Sequence, residues 1–331
     1  MARMETSCAE GTTIVRVGTS SWSDRSLTQE SDWYPKKTMK ASERIAFYSS
    51  RFSMVEMENT HRFPPTRAVA EQWVERTPSS FKFLIPAWSL LTGKATFPPS
   101  LYEDLWKEIR EDCKDKRRLY LNHLSTNAID ECWLRFADSL RPLVEADKLG
   151  AVVLRFPHWL QPGVSSTQML EDARSRLDGL PVAVEVSHPE WFTPSNCEET
   201  FERLEDLDFT FVCLDAPRDH PRSQNNAYAT TNGLGMLRLI GRQPYEERDG
   251  WTEDFRAYRY DQSELKEIES RIRHLADGCD ELHVVVSTCW KDDAVVNAAT
   301  ISSMLGLTSQ DQVIDITDQT LASESARMEN A

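Results

Sequence analysis

The sequence lacks the features that would direct it out of the cytoplasm. Its seven cysteines are odd in number and form no C-x-x-C pair, which is typical of reduced thiols rather than a disulfide framework. No apolar run approaches the ~18 residues that a membrane span needs. Residues 1–13 contain no apolar segment of the kind found in secretory signals. These absences predict a soluble, cytoplasmic protein.

Positive charge is also scarce. The chain has 38 Lys and Arg against 53 Asp and Glu, a formal net charge of -15. Nonspecific binding of nucleic acid or of anionic membranes requires a positive surface, so neither is predicted as a partner. One local basic site is compatible with this balance, and the predicted partner is a small molecule. The oligomeric state is left open, and no cofactor is indicated.

What the chain contains is a repeated unit of a short apolar strand, a polar exit and, in most cases, a helix. Strands rich in β-branched residues are predicted at 14–18, 54–60, 81–85, 151–156, 181–188, 209–215, 235–241 and 282–288. Eight such units predict a closed (β/α)8 barrel of the TIM type. An open doubly wound sheet is the alternative, but no Gly-rich phosphate turn follows any strand.

The extra length of the chain falls in long loops predicted after strands 3, 6 and 7. Residues 1–13 are expected to form a disordered leader, residues 14–306 a single barrel domain, and residues 307–331 a polar, frayed tail. A charged helix is expected near 101–117. Capping boxes are predicted for two further helices, Ser195 with Glu198 and Asp261 with Glu264.

Several strand exits match a known family in content and order. The matching stretches are Gly18 to Asp24, Trp33 to Pro35, Phe52, Val55-Glu56, Thr60, Trp73, Phe81 to Phe83, Leu90 to Thr92, Ala183 to Glu185, His188, Trp191-Phe192, Asp215, Arg238, Gly241-Arg242 and Asp292 to Ala298. With these the chain resembles the domain of unknown function 72, or YecE-like, family over residues 14 to about 305. The resemblance implies a β/α barrel and supplies no settled activity.

The chain departs from this family at strand exits, as a divergent member. Pro86 stands where the family commonly has Lys, and Ile240 replaces the His of a His-Gly-Arg motif. Val286-Ser287-Thr288 stands in place of Phe-Asn-Asn, and Ser187 in place of an Arg. The loss of these groups together favours a changed, weakened or lost activity.

The charged residues within the strands define the candidate site. Side chains alternate along a strand with period 2, which places six charged residues inside the predicted barrel near its C-terminal mouth: Glu56, Glu58, Glu185, Asp215, Arg155 and Arg238. Barrel enzymes have their active sites at this mouth. We interpret Glu56, Glu185 and Asp215 as candidate catalytic acid/base groups. The two arginines are predicted to bind an anionic group while facing a water-filled mouth.

Six residues are predicted to bind the ligand because they lie at strand ends: Trp22, Asp24, Glu58, Thr60, His188 and Trp191. Tryptophans 22, 88, 191 and 290 follow strand ends and would form a stacking rim suited to a sugar or nucleoside-like ligand. The competing interpretation of each is structural. The charges would then form a salt-bridged plug, and the aromatic rings would only cap the core.

A metal site is a separate alternative. Glu58, Glu185, His188 and Asp215 are ligand types for a divalent ion, as in barrel hydrolases and isomerases. No H-x-H or H-x-x-E-H pair is present, so no metal is predicted. The sequence therefore predicts a barrel with a charged mouth that binds a small anionic or polyhydroxylated metabolite. A metal-dependent hydrolase or isomerase and a catalytically degenerate binding protein remain as alternatives.

Overall fold

The computed structural model describes residues 11–217, 224, 227–243, 257–288, 290–308 and 312–315. Eight parallel strands of this described part close into a barrel, because β2 pairs both with β3 and with β1. They are β1 (Thr12–Thr19), β2 (Met54–Glu56), β3 (Lys82–Pro86), β4 (Leu149–Arg155), β5 (Val182–Glu185), β6 (Phe209–Asp215), β7 (Leu234–Leu239) and β8 (Glu281–Val286). The predicted TIM-type (β/α)8 fold is confirmed.

Helices lie between or after most strands. They are α1 (Ala41–Ser49), α2 (Arg67–Glu75), α3 (Thr126–Ser139), α4 (Arg141–Glu145), α5 (Val164–Arg176), α6 (Cys197–Asp206), α7 (Gln262–Ala276) and α8 (Asp293–Met304). The capping box of Asp261 and Glu264 at α7 is confirmed. The one predicted for Ser195 and Glu198 is wrong: α6 starts one residue later, after Asn196, and the Ser195 hydroxyl contacts Thr193 instead.

The predicted helix over 101–117 is also wrong. Its apolar residues recur every four positions and are buried: Leu101, Leu105, Ile109 and Cys113. That spacing is typical of one face of a helix. In the structure, however, the same residues are buried by short 3-10 turns with extended residues between them. Ile109 forms a β-bridge with Leu124, which holds the segment open and keeps its turns from joining.

The end of the described chain adds a ninth strand. β9 (Val313–Asp315) runs antiparallel to β1, with Thr13 opposite Ile314. It pairs along the first half of β1, whereas β2 pairs with the last two residues of that strand. β9 falls within the stretch predicted as a tail, and β1 begins inside the predicted leader. The rest of the predicted leader and much of the tail lie outside the described residues.

The barrel interior is layered. Its middle is apolar and consists of Met54, Leu84, Ala151, Val153, Ala183, Val212, Leu214, Met236 and Val285. At the N-terminal end Glu281 pairs with Arg16 at 2.5 Å and with His283 at 2.7 Å. Gly18 also faces inward, and a Cβ at this position would lie 2.2 Å from the Met54 carbonyl oxygen. Only glycine therefore permits β1 and β2 to approach so closely and close the barrel.

No helix in the described part of the chain is long and apolar enough to cross a membrane.

Candidate functional site

The C-terminal layer of the barrel interior is charged. Glu56, Arg155, Glu185 and Arg238 come from β2, β4, β5 and β7 and project inward, as the period-2 pattern predicts. Each shares its strand face with an apolar interior residue two positions earlier. Glu58 joins them from a different element. The second strand was predicted to run to residue 60, but in the structure it ends at Glu56, and Glu58 lies on the 3-10 turn that follows. We call these five residues the inner cluster.

The inner cluster is held by ion pairs around its two guanidinium groups. Arg155 Nη1 donates to Glu58 Oε2 at 2.9 Å, and Arg238 Nη1 donates to Glu185 Oε2 at 3.1 Å. Glu56 Oε1 lies 2.5 Å from Arg155 Nη2 and 3.4 Å from Arg238 Nη2. Three carboxylates thus surround two guanidiniums, which leaves a formal charge of −1 within a buried layer.

This arrangement shifts the ionisation of its members. Burial alone would raise the pKa of Glu58, but the guanidiniums of Arg155 and Arg238 outweigh that effect and hold its pKa well below the usual range. Burial would likewise lower the pKa of Arg155, yet the three glutamates raise it. Glu58 and Arg155 are therefore charged at neutral pH.

Hydrogen bonding within the inner cluster is incomplete. Glu56 is fully buried, and in the described part of the chain neither of its oxygens receives a well-aligned hydrogen bond. Its contact with Arg155 is a close ion pair whose angles are not those of a hydrogen bond. The Nε atoms of Arg155 and Arg238 also lack hydrogen-bond partners there, as does Nε1 of the neighbouring Trp22. Buried polar groups are normally paired, so these atoms are the incompletely bonded part of the inner cluster.

A cleft of about 240 Å³ adjoins the inner cluster. Its floor comes from the exits of β1 and β2, and its wall from the loop before α2 and from α2 itself. The floor residues are Ser21, Trp22, Ser23, Glu56, Met57, Glu58, Asn59 and Thr60, and the wall residues are Phe63, Pro65, Val69 and Trp73. Among the described residues, the lining therefore includes two carboxylates and no basic side chain.

Two predicted ligand residues position this floor. The Thr60 hydroxyl lies 2.7 Å from the Pro86 carbonyl oxygen and 2.8 Å from that of Met57, which ties the turn after β2 to the end of β3. Asp24 accepts from the backbone N–H and the hydroxyl of Ser26, at 2.8 and 2.6 Å, and so shapes the loop after β1. Both contacts hold backbone in place; Thr60 also lines the cleft.

Asp215 does not belong to the inner cluster, and its predicted place inside the barrel is wrong. On β6 the interior positions are Val212 and Leu214, so Asp215 points outward toward α7. It accepts from Arg242 Nη2 at 2.8 Å, Arg271 Nη1 at 2.6 Å and Tyr260 Oη at 3.0 Å.

Tyr228 completes this second group by accepting from Arg271 at 2.8 Å. We call Asp215, Tyr228, Arg242, Tyr260 and Arg271 the outer cluster. Burial raises the pKa of Tyr228 to about 12, so this phenol stays protonated at neutral pH. The outer cluster fastens α7 to the ends of β6 and β7.

His188 and Trp191 have structural contacts. His188 Nδ1 accepts from the Glu190 backbone N–H at 3.1 Å and caps the 3-10 turn after β5. Trp191 is buried and donates from Nε1 to the Leu160 carbonyl at 2.6 Å. Trp88 is fully buried as well, so the predicted rim of four tryptophans is wrong. Only Trp22 among them lines the cleft.

The four candidate metal ligands do not converge. His188 caps a turn and Asp215 faces α7, while Glu58 and Glu185 pair with arginines. Among the described residues, no group of three or more His, Cys, Asp and Glu side chains is placed to hold a metal ion.

Sequence reasoning missed the apolar wall of the cleft. Phe63 is 56 % exposed and is followed by two prolines, and Val69 is also exposed. Large apolar side chains exposed on adjacent positions of a loop and a helix are a signal of a binding surface, but their exposure is a property of the folded chain that the sequence does not show. Of the departures from the resembled family, Thr288 is buried and Ser287 is half-buried, and the hydroxyl oxygens of both are buried without a hydrogen-bond partner in the described part of the chain.

Comparison with known proteins places the chain among proteins of unsettled activity. Over 301 residues it is 25% identical to UPF0759 protein YunF of Bacillus subtilis (strain 168), which covers 89% of this chain and 95% of that protein. A DUF72 family protein of Thermotoga maritima MSB8 (TM1631) has a similar structure, with a TM-score of 0.65 and 26% identity over 88% of this chain and 99% of that one.

A DUF72 family protein of Enterococcus faecalis V583 (EF0366) shares the fold, with a TM-score of 0.72 and 21% identity over 89% of this chain and 96% of that one. The profile described as "Protein of unknown function DUF72" matches residues 16–322. That match spans the barrel from β1 through β9, and the chain therefore belongs to the DUF72 family.

Proposed function

We propose that this protein binds a small polar organic molecule in the cleft beside the inner cluster, and that the molecule donates hydrogen bonds to Glu56 and Glu58. The observation that carries the proposal is the buried Glu56 carboxylate, which lines the cleft without a well-aligned hydrogen bond in the described part of the chain. A buried carboxylate left in this state is costly, and a donor in the cleft would remove that cost.

The polyhydroxylated half of the ligand class predicted from the sequence is supported by this lining, and the anionic half is not. Arg155 and Arg238 were expected to face water and bind an anion. Both are instead buried and paired with glutamates, and neither lines the cleft. An anion in the cleft would face Glu56 and Glu58 and would be repelled. Hydroxyl or ammonium groups would meet acceptors.

The size and position of the cleft favour one small molecule. A volume of about 240 Å³ lies below the ~300 Å³ at which pockets for drug-sized ligands begin. It also opens at the C-terminal end of the strands, where barrel proteins place their sites.

A thermal-shift panel of full-length protein tests the proposal. Neutral polyols and small amines at about 100 times their Kd would stabilise the fold by ~2.7 kcal/mol, which is a rise in Tm of several degrees. Phosphate, sulfate and dicarboxylates would leave the Tm unchanged. The variant Glu56→Gln would lose the shift, while Glu190→Gln, an exposed position outside the cleft, would keep it. Stabilisation by anions alone, or by no member of the panel, would overturn the proposal.

A further inference from the structure

The negative charge of the cleft favours ligands with an ammonium group over ligands with only hydroxyl groups. In the part of the chain that the structure describes, its lining holds Glu56 and Glu58 and no basic residue, and the inner cluster behind it has a formal charge of −1. The two guanidinium groups are already paired with the three carboxylates, with N–O distances of 2.5 to 3.9 Å. The His61 imidazole lies 3.6 Å from Glu58 Oε1 and carries a charge only when it is protonated. With this imidazole neutral, a bound cation would bring the buried layer to neutrality, which a neutral ligand cannot do.

The wall of the cleft supplies a second, independent feature. Phe63, Trp73 and Trp22 place three aromatic rings around a cavity whose floor is acidic. Trp73 is itself fixed, because its ring stacks on Phe83 with centroids 5.8 Å apart. Aromatic rings attract cations through their electron-rich faces and also bury apolar surface. A carboxylate floor with an aromatic wall is thus complementary to an ammonium group on an apolar body.

Two buried polar groups at the floor of the cleft lack a well-aligned hydrogen bond in the described part of the chain. They are the Glu56 carboxylate, fully buried, and Trp22 Nε1, on a side chain 7% exposed. The carboxylate can accept two or more hydrogen bonds, which matches the three donors of a primary ammonium. The indole N–H can donate to a lone pair elsewhere on the ligand, such as a hydroxyl oxygen.

We infer that the ligand is an organic cation: a primary amine with a small apolar, ring-sized body, whose ammonium group binds Glu56 and Glu58 and whose body packs against Phe63 and Trp73. The inference rests on the proposed function, since it names the ligand class of the same cleft. It predicts an order among ligands of one shape, which binding to the cleft alone does not.

Benzylamine, benzyl alcohol and benzoate form the test series, because they share a ring and differ in charge at neutral pH. In calorimetric titrations of the full chain, benzylammonium should bind at least about tenfold more tightly than benzyl alcohol, as a charge-assisted hydrogen bond adds that much affinity. Benzoate should not bind. Methylammonium, which lacks the ring, should bind at least about tenfold more weakly than benzylammonium.

Variants locate the two parts of the ligand. Phe63→Ala should weaken benzylammonium several-fold and leave methylammonium unchanged. Phe97→Ala is the matched control, since Phe97 is 52% exposed against 56% for Phe63 and lies outside the cleft. Glu58→Gln should abolish the preference of the cation over the alcohol. The wild-type series needs no variant, so a substitution that fails to fold leaves the test intact.

Each outcome is informative. Benzyl alcohol binding as tightly as benzylammonium, or polyols binding where amines do not, would overturn the cation and leave the proposed function standing. Benzoate as the tightest ligand, or a cleft that takes neither amine nor polyol, would overturn both.

Discussion

The inner and outer clusters both pair buried carboxylates with arginines at the same end of the barrel, yet their bonding differs. In the outer cluster one carboxylate, Asp215, accepts from Arg242, Arg271 and Tyr260. In the inner cluster three carboxylates share two arginines, and Glu56 has no well-aligned hydrogen bond within the described part of the chain. One cluster is saturated, and the other is short of donors.

Their surroundings differ in the same direction. The outer cluster lies between β6, β7 and α7, and its arginines reach further acids, with Arg242 donating to Glu267 at 2.9 Å. The inner cluster adjoins a cleft lined by two of its own glutamates. Buried ionic groups alone are therefore no sign of a binding site in this fold. The sign is a charged group that the protein leaves incompletely bonded beside open space.

Removing a guanidinium from the inner cluster should have the largest effect. Arg155→Met keeps the aliphatic stem and leaves Glu56 and Glu58 with an uncompensated buried charge, which should cost on the order of 3–5 kcal/mol of unfolding free energy. Arg135→Met is the control, because Arg135 pairs with Asp104 and Glu131 at the surface and its loss should cost below about 1 kcal/mol. Urea unfolding measures both. Equal losses would mean that the inner cluster is screened by solvent.

The outer cluster should respond less. Asp215→Asn keeps an acceptor oxygen but removes the charge that Arg242 and Arg271 share. Both arginines are partly exposed and Arg242 has other acids nearby, so a loss of about 1–3 kcal/mol is expected. Ligand affinity in the cleft should not change, because Asp215 lies outside the barrel. If the variant keeps its stability but loses ligand binding, Asp215 belongs to the binding site after all.

Acid should weaken the inner cluster through Glu58. Its pKa in the folded protein lies below the ordinary value of 4.5, so its contribution to stability is complete above that value and is lost as the pH falls below it. In Glu58→Gln this contribution is absent at every pH. The stability gap between wild type and variant, on the order of 1 kcal/mol at pH 7, should therefore narrow between pH 4.5 and pH 3. A gap that widens in acid would contradict this assignment.

The two clusters also differ in how well the sequence predicted which side of the strand their residues occupy. Period 2 correctly placed Glu56, Arg155, Glu185 and Arg238 inside, because on their strands a single charged residue interrupts an otherwise apolar run. On β6 the four residues directly before Asp215 are apolar on both faces, so the alternation pattern did not distinguish the two faces and Asp215 was assigned to the wrong one. The strand's pairing with β7 decides that face, and pairing is a property of the whole sheet.

The sequence also did not show which charged residues pair with each other. Arg238 was expected to face water, yet its side chain is 5% exposed and bonds Glu185, 53 positions away in the chain. Nothing local indicates that pair. Likewise, β2 ends at Glu56 rather than at residue 60, because the chain turns there to bring Glu58 over the strand end. The cleft exists only because of that turn.

The central claim is that the inner cluster holds one carboxylate more than its arginines need, kept for a ligand at some cost to stability. Urea unfolding of Glu56→Gln against wild type, without ligand, tests this most directly. The substitution keeps the shape of the side chain and brings the formal charge of the cluster to zero. We expect the unfolding free energy to fall by less than about 1 kcal/mol, or to rise. A loss of about 3–5 kcal/mol would contradict this expectation, because it is the cost of breaking one ion pair in a buried plug whose charges are all paired.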